Sequence, residues 1–120
     1  MSVAAAIVEE AFFRRFVMGR VAGAGGGPGL EILASGVVFG CAHMIWGVVT
    51  GHWRTGLRVA AMTGTLGLAL GVVFLLSDRL LPPVIVSHFL IDLVIHPASI
   101  LAAFGGYMEP IPDDPEEPGE

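Results

Sequence analysis

Between Glu31 and Arg54 the chain runs for 22 residues without a formal charge, between Arg58 and Asp78 for another 19, and from Leu80 to Met108 it carries only Asp92. A bilayer span needs about 20 mostly apolar residues, so three such stretches rule out an ordinary soluble domain and predict one compact membrane unit. Composition agrees: 54% of the 120 residues are hydrophobic and 14% are charged, against about 25% charged in soluble domains. The net charge of −5 says little about the body of the chain, because six acids (Glu109, Asp113, Asp114, Glu116, Glu117 and Glu120) crowd into the last twelve positions. Residues 1–108 hold six arginines against five acids, a net charge of +1.

Other classes fall on the same counts. A nucleic-acid partner requires a basic stripe, and six arginines without a lysine, scattered singly or in one pair, do not make one. The single cysteine excludes a disulfide framework and any cysteine-based zinc or iron-sulfur site. Met1 to Val8 carries no positive charge and its apolar stretch runs straight into Glu9 and Glu10, which is not the pattern of a signal peptide.

The expected fold is an all-α membrane protein, a bundle of about four transmembrane or membrane-embedded helices with a disordered acidic C-terminal tail. Residues 3–18, good helix formers without Gly or Pro, read as the first helix. Residues 19–29 contain six Gly and a Pro and predict a flexible connector. A second helix is expected over residues 30–49, closed by the polar and aromatic punctuation Thr50 to Arg54, and a third over 57–76. Asp78 and Arg79 mark the next turn; Pro82 and Pro83 suit the first turn of a fourth helix that runs to about Phe104 with a kink at Pro97. Residues 1–108 are thus the helical core, and residues 109–120, with four Pro and six acids, the disordered tail. The pairs Gly36 and Gly40, Gly47 and Gly51, and Gly67 and Gly71 are each four apart, the small-xxx-small spacing of closely packed membrane helices.

An ionisable group at membrane depth is costly, so it faces the bundle interior, finds a partner and marks function. Those groups here are Glu9, Glu10, Arg14, His43, His88 and Asp92. Three junctions of the bundle put the end of the first helix, the start of the second, the end of the third and the start of the fourth on one side. From that side, at 1.5 Å per residue, Glu9 lies about 15 Å deep, His43 about 20 Å, His88 about 8 Å and Asp92 about 14 Å. Polar groups from three helices therefore reach overlapping depths. His43 shares the close-packing face of Gly36, Gly40 and Gly47, with Phe39 one turn before it. His88, Asp92 and His96 form one stripe continued by Ser99, and Glu10 with Arg14 forms an i, i+4 ion pair that leaves the adjacent Glu9 free of it.

Glu9-Glu10-x-x-x-Arg14, then Phe39-x-x-x-His43, then His88-x-x-x-Asp92, in this order on successive apolar segments, resembles the CAAX-protease and bacteriocin-processing family of intramembrane metalloproteases, which includes the type II CAAX prenyl endopeptidases. That family's pattern is a double Glu followed by Arg, then Phe with His four later, then His with Asn or a similar polar residue four later. The resemblance spans residues 9–92 and implies an intramembrane endopeptidase of an integral membrane location, with the plasma membrane of a prokaryote as the expected one. It implies that Glu9 activates water, that His43 helps hold that water, and that His88 with Asp92 binds the oxyanion of the tetrahedral intermediate. Glu10, Arg14 and Phe39 would support the site. Two His and two or three carboxylates would serve equally well as an acid-base set or as ligands of a divalent metal such as zinc, with Glu9, His43 and His88 as the candidate ligands.

Two features depart from that family. Asp92 stands where Asn is better known, and an ionised Asp accepts hydrogen bonds where an oxyanion needs a donor. Asp92 must then be protonated, or accept a bond from His88 or a metal-bound water. Met1 also precedes the double glutamate by only eight residues, where family members usually have several helices; a minimal core, a fragment and a chain needing a partner are the alternatives. The expected partners are the lipid bilayer and a peptide or protein substrate, with self-association left open. Beside the endopeptidase stands a non-catalytic immunity or adaptor module of the same fold, and, drawing on the four His alone, a bis-histidine haem or metal carrier.

Overall fold

The computed structural model describes residues 3–49 and 51–107, with side chains described as far as Val94 except that of Trp46. It is all-helical, with four rods in chain order. The first is composite: helix α1 (Val3–Glu10), a π-helical stretch (Ala11–Met18) and helix α2 (Gly19–Gly23). The others are α3 (Pro28–Val49), α4 (Trp53–Leu76) and α5 (Leu81–Tyr107). Among them α3 and α4 are long and apolar enough to cross a membrane, and α5 adds a shorter apolar stretch over Leu81–Val94. The acidic tail and the side chains of His96 and Ser99 lie outside the described residues, whereas the helix expected to kink at Pro97 runs through it as one element, Leu81–Tyr107.

The first rod stays right-handed helical through both of its junctions, with φ and ψ of −66° and −36° at Glu10 and −62° and −35° at Gly19. Its buried residues include Ala6, Glu10, Arg14 and Met18, a strict four-residue repeat. In a regular α-helix each four-residue step drifts about 40° around the axis. The wider turns of a π-helix, closed by i→i+5 bonds, reduce that drift and keep the series on the face that meets the other rods.

The connector expected over residues 19–29 is largely folded. Helix continues to Gly23, and only the turn after it breaks. Gly25 takes φ +83°, its N–H donates to the Ala22 carbonyl at 3.0 Å and the Gly26 N–H to that of Val21 at 2.9 Å, the paired bonds of a Schellman end. Two residues later Pro28 begins α3, where its missing N–H costs nothing. Trp53 and Arg54, expected outside a helix, instead form the first turn of α4, with the Arg54 guanidinium 5.5 Å over the Trp53 ring.

Glycine spacing sets how the rods meet. A Cβ on Gly40 would lie 2.5 Å from the Ala60 carbonyl oxygen, and one on Gly47 would lie 2.2 Å from the Gly56 Cα, so α3 and α4 touch backbone to backbone. In lipid, with no water to expel, van der Waals packing of this kind holds helices together. Gly51 does not join that interface. It takes φ +75° with nothing within 4 Å of an added Cβ, and serves as the left-handed end of α3, with the His52 N–H donating to the Gly47 carbonyl at 2.9 Å.

The apolar core forms where the end of the first rod, the start of α3, the end of α4 and the start of α5 converge. Met18, Leu70, Phe74 and Val84 are buried there, flanked by Ile32 and Leu81. Above them Glu31 and Arg79 make a bidentate pair at 2.8 and 2.9 Å, tying the start of α3 to the turn before α5. That turn holds Asp78 and Arg79 at φ 52° and 62°.

Candidate active site

Three stripes of four-residue spacing, one per rod, converge next to this core. Glu10 and Arg14 come from the first rod, Ser35, Phe39 and His43 from α3, and His88 and Asp92 from α5. Each stripe occupies one face because residues four apart stack along a helix. Glu10, Arg14, Ser35, Phe39 and His88 are all at most 1% exposed.

Glu10 is the hub. Its Oε2 lies 2.7 Å from Arg14 Nε, and its Oε1 accepts a 2.7 Å bond from His88 Nδ1. The i, i+4 ion pair is therefore present, and the same carboxylate carries a second partner from a different rod. With His88 Nδ1 committed to Glu10, Nε2 is the free ring nitrogen, and it stands 3.9 Å from Glu9 Oε2 and 3.9 Å from Asp92 Oδ1. These separations exceed a direct hydrogen bond. Glu9 Oε2 and Asp92 Oδ2 are buried atoms without a hydrogen-bond partner in the protein, as are Glu10 Oε2 and Arg14 Nε and Nη2, so the Glu10–Arg14 contact is an ion pair without a hydrogen bond. The Glu9 side chain is 25% exposed and that of Asp92 18%, so they form the open lip of an otherwise closed cluster.

Phe39 supplies the wall. Its ring packs edge-on against Phe13 at 4.8 Å and His88 at 5.9 Å, lies tilted against His43 at 4.5 Å, and has the Arg14 guanidinium carbon 5.5 Å above its centre. The Nδ1–H of His43 donates to the Phe39 carbonyl at 2.9 Å. This leaves Nε2 of a neutral His43 as an acceptor. All seven site residues expected from the sequence are thus near one another or joined through Phe39, and Glu9, though free of Arg14, faces His88 across a gap.

Ser35 was not anticipated. Its hydroxyl accepts a bond from Arg14 Nη1 and donates to the Phe13 carbonyl at 3.2 Å. A signal for it existed in the sequence: Glu31, Ser35, Phe39 and His43 follow one another at intervals of four.

Two further observations bound the chemistry. Among the described residues no group of three His, Cys, Asp or Glu side chains is arranged to hold a metal ion. A groove of about 470 Å³ between α3 and α4, lined by residues such as Val37, Cys41, Leu57 and Ala61, shares no residue with the polar cluster. It is apolar and carries no reactive group apart from the exposed Cys41 thiol.

A protein-family model described as type II CAAX prenyl endopeptidase, Rce1-like, matches residues 1–94, which contain every residue of the cluster. No curated protein and no solved structure matches the chain.

Proposed function

The chain belongs to the Rce1-like family of type II CAAX prenyl endopeptidases, a membrane-embedded protease family, and from that premise we propose that it hydrolyses a peptide bond in or near the bilayer with water activated by Glu9. The observation that carries this reading is the placement of His88, fixed through Nδ1 by Glu10 while Nε2 stands 3.9 Å from both Glu9 and Asp92. Buried carboxylate oxygens without protein partners are expensive at membrane depth. A water molecule or a peptide group between these three side chains relieves that cost.

In the proposed reaction the Glu9 carboxylate takes a proton from water as the water oxygen attacks the peptide carbonyl carbon. His43 Nε2 accepts the other hydrogen of that water and helps aim it. Negative charge gathers on the carbonyl oxygen, where a protonated His88 donates from Nε2, and Asp92 holds the far side of the site. Protonated Glu9 then gives its proton to the leaving nitrogen as the C–N bond breaks, which restores the carboxylate. Glu10, Arg14 and Phe39 position these groups without touching the substrate. Among the described residues no three His, Cys, Asp or Glu side chains are grouped as metal ligands, and the steps proposed here are carried by water and side chains.

The substrate class is a membrane-associated peptide or protein, and the plasma membrane of a prokaryote is the location we assign. The test is a comparison of membrane-protein termini in cells producing the wild type or Glu9→Gln. New termini should appear only with the wild type. Identical sets of termini would remove Glu9 as the base and favour a non-catalytic binding module.

A further inference from the structure

We propose that Ser35 is a positioning residue for this reaction, the anchor of a polar relay of hydrogen bonds and one ion pair that crosses three rods and fixes which nitrogen of His88 faces Glu9 and Asp92. The inference rests on the endopeptidase reading for its kinetic consequence, but the relay itself is a matter of geometry.

Ser35 sits in an apolar stretch of α3 and is fully buried. A buried hydroxyl costs free energy unless it is hydrogen-bonded, and here both of its capacities are used. By donating to the Phe13 carbonyl at 3.2 Å it spends its one proton, so a lone pair must face Arg14 Nη1, from which it accepts. A guanidinium is a flat, rigid fork. Holding Nη1 therefore sets the direction of Nε, which meets Glu10 Oε2 at 2.7 Å. Held by one oxygen, the Glu10 carboxylate presents the other to His88 Nδ1, again at 2.7 Å. The outer partner of an imidazole decides its ring orientation, and a carboxylate there favours the doubly protonated ring that can donate from its other nitrogen. Four links thus run from the Phe13 carbonyl through Ser35, Arg14 and Glu10 to the free Nε2 of His88.

A packing role for Ser35 would predict something different. Exchange for Ala removes one oxygen and leaves the helix contact unchanged, so a residue that only packs should shift the unfolding midpoint and nothing else. If Ser35 anchors the relay, its loss lets the guanidinium and the Glu10 carboxylate swing, and His88 loses its fixed orientation.

The experiment combines two readouts on Ser35→Ala and Ser35→Thr in nanodiscs. The first is hydrolysis of a quenched-fluorescent peptide ending in a farnesylated CAAX sequence, with the unprenylated peptide alongside. The second is the ¹⁵N spectrum of histidine-labelled protein, with the His88 resonances assigned by their loss in His88→Gln. Ser35→Ala should lower kcat by up to about tenfold, the low end of the effect of removing the direct outer partner of a working histidine, because Ser35 acts on His88 through Arg14 and Glu10. KM should stay unchanged and the His88 signals should shift or broaden, while Ser35→Thr, which keeps the hydroxyl, should restore both. Unchanged kcat, a lowered kcat with unaltered His88 signals, or a Thr variant as impaired as Ala would each overturn the proposal. If Ser35→Ala does not fold, Ser35→Cys, similar in size with a weaker donor, takes its place under the same criteria. A wild type that cleaves neither peptide would count against the endopeptidase reading, and the ¹⁵N spectra would then decide the relay alone.

Discussion

Glu10 and His88 stand 78 positions apart in the chain and meet at 2.7 Å, carboxylate Oε1 to ring Nδ1, with neither side chain more than 2% exposed. This contact joins the first rod to α5 and so brings the two ends of the family-matched segment to one place. It also separates the neighbouring glutamates by role: Glu10 is paired with both Arg14 and His88, while Glu9 only approaches His88, at 3.9 Å.

The two glutamates should therefore differ in what their loss does to stability. Glu10→Gln leaves the buried Arg14 guanidinium without its anion, and breaking a buried pair in this way costs about 3–5 kcal/mol. Glu9→Gln removes no bond within the protein and should change stability by less than about 1 kcal/mol. Thermal unfolding of both variants in detergent checks this, and equal losses would contradict the division of roles.

Glycine substitutions should divide just as clearly. Gly47→Ala drives a methyl group to 2.2 Å from the Gly56 Cα, a backbone atom that cannot rotate aside. Forcing α3 and α4 apart should cost at least the 1–3 kcal/mol, roughly, of overpacking a core. Gly19 is helical with nothing within 4 Å of an added Cβ, so Gly19→Ala should stabilise the protein by about 0.5–1 kcal/mol. Unfolding midpoints of the two variants should move in opposite directions.

The pair between Glu31 and Arg79 should behave as a clamp on the core end of the bundle. Glu31 is 2% exposed and Arg79 47%, so the loss in Arg79→Ala is discounted for solvent screening to about 1–2 kcal/mol. Arg79→Lys keeps the charge but not the two-pronged contact and should recover only part of it. Hydrogen bonding to Glu31 raises the Arg79 guanidinium above its usual value. A raised cation stabilises below its unfolded-state pKa and loses that contribution only above its folded one. For arginine both lie at the far alkaline end, so the clamp should hold through neutral and moderately alkaline pH. A stability profile of wild type against Arg79→Ala measures it, and a difference that vanishes at mildly alkaline pH would refute it.

Treatment with a strong chelator should leave peptide hydrolysis unchanged, since the proposed steps use water and side chains alone. Loss of activity on chelation, restored by adding zinc, would require a metal-based scheme in its place.

The helices and the contacts within each stripe are legible in the sequence because they follow from local spacing. Glu10 with Arg14, Phe39 with His43, and His88 with Asp92 are each four apart, and that interval stacks side chains on one face whatever the tertiary fold. Contacts between rods are less legible. Nothing local tells that Glu10 would hold His88 as well as Arg14, because a carboxylate has two oxygens and the sequence does not say which element approaches the second. Glu31 and Arg79, 48 positions apart, pose the same difficulty. Ser35 escaped because a lone serine in an apolar run has no distinguishing chemistry until a charged partner is placed beside it. The glycine-rich connector misled for another reason. Gly19 and Gly23 tolerate helix, and only Gly25, at φ +83°, uses the conformational freedom the composition advertises.

The π-helical stretch, Ala11–Met18, sets the rotational phase of the first rod. Its wide turns work like a vernier between two scales, the packing surface around Met18 and the chemical surface around Glu10. Deleting one residue there would turn everything on its N-terminal side by the rotation of one helical residue, roughly 80–100°, carrying Glu10 away from His88 and Glu9 away from the gap while leaving every residue of α3, α4 and α5 intact. Those eight residues are a fixed count, because they measure an angle as much as a distance.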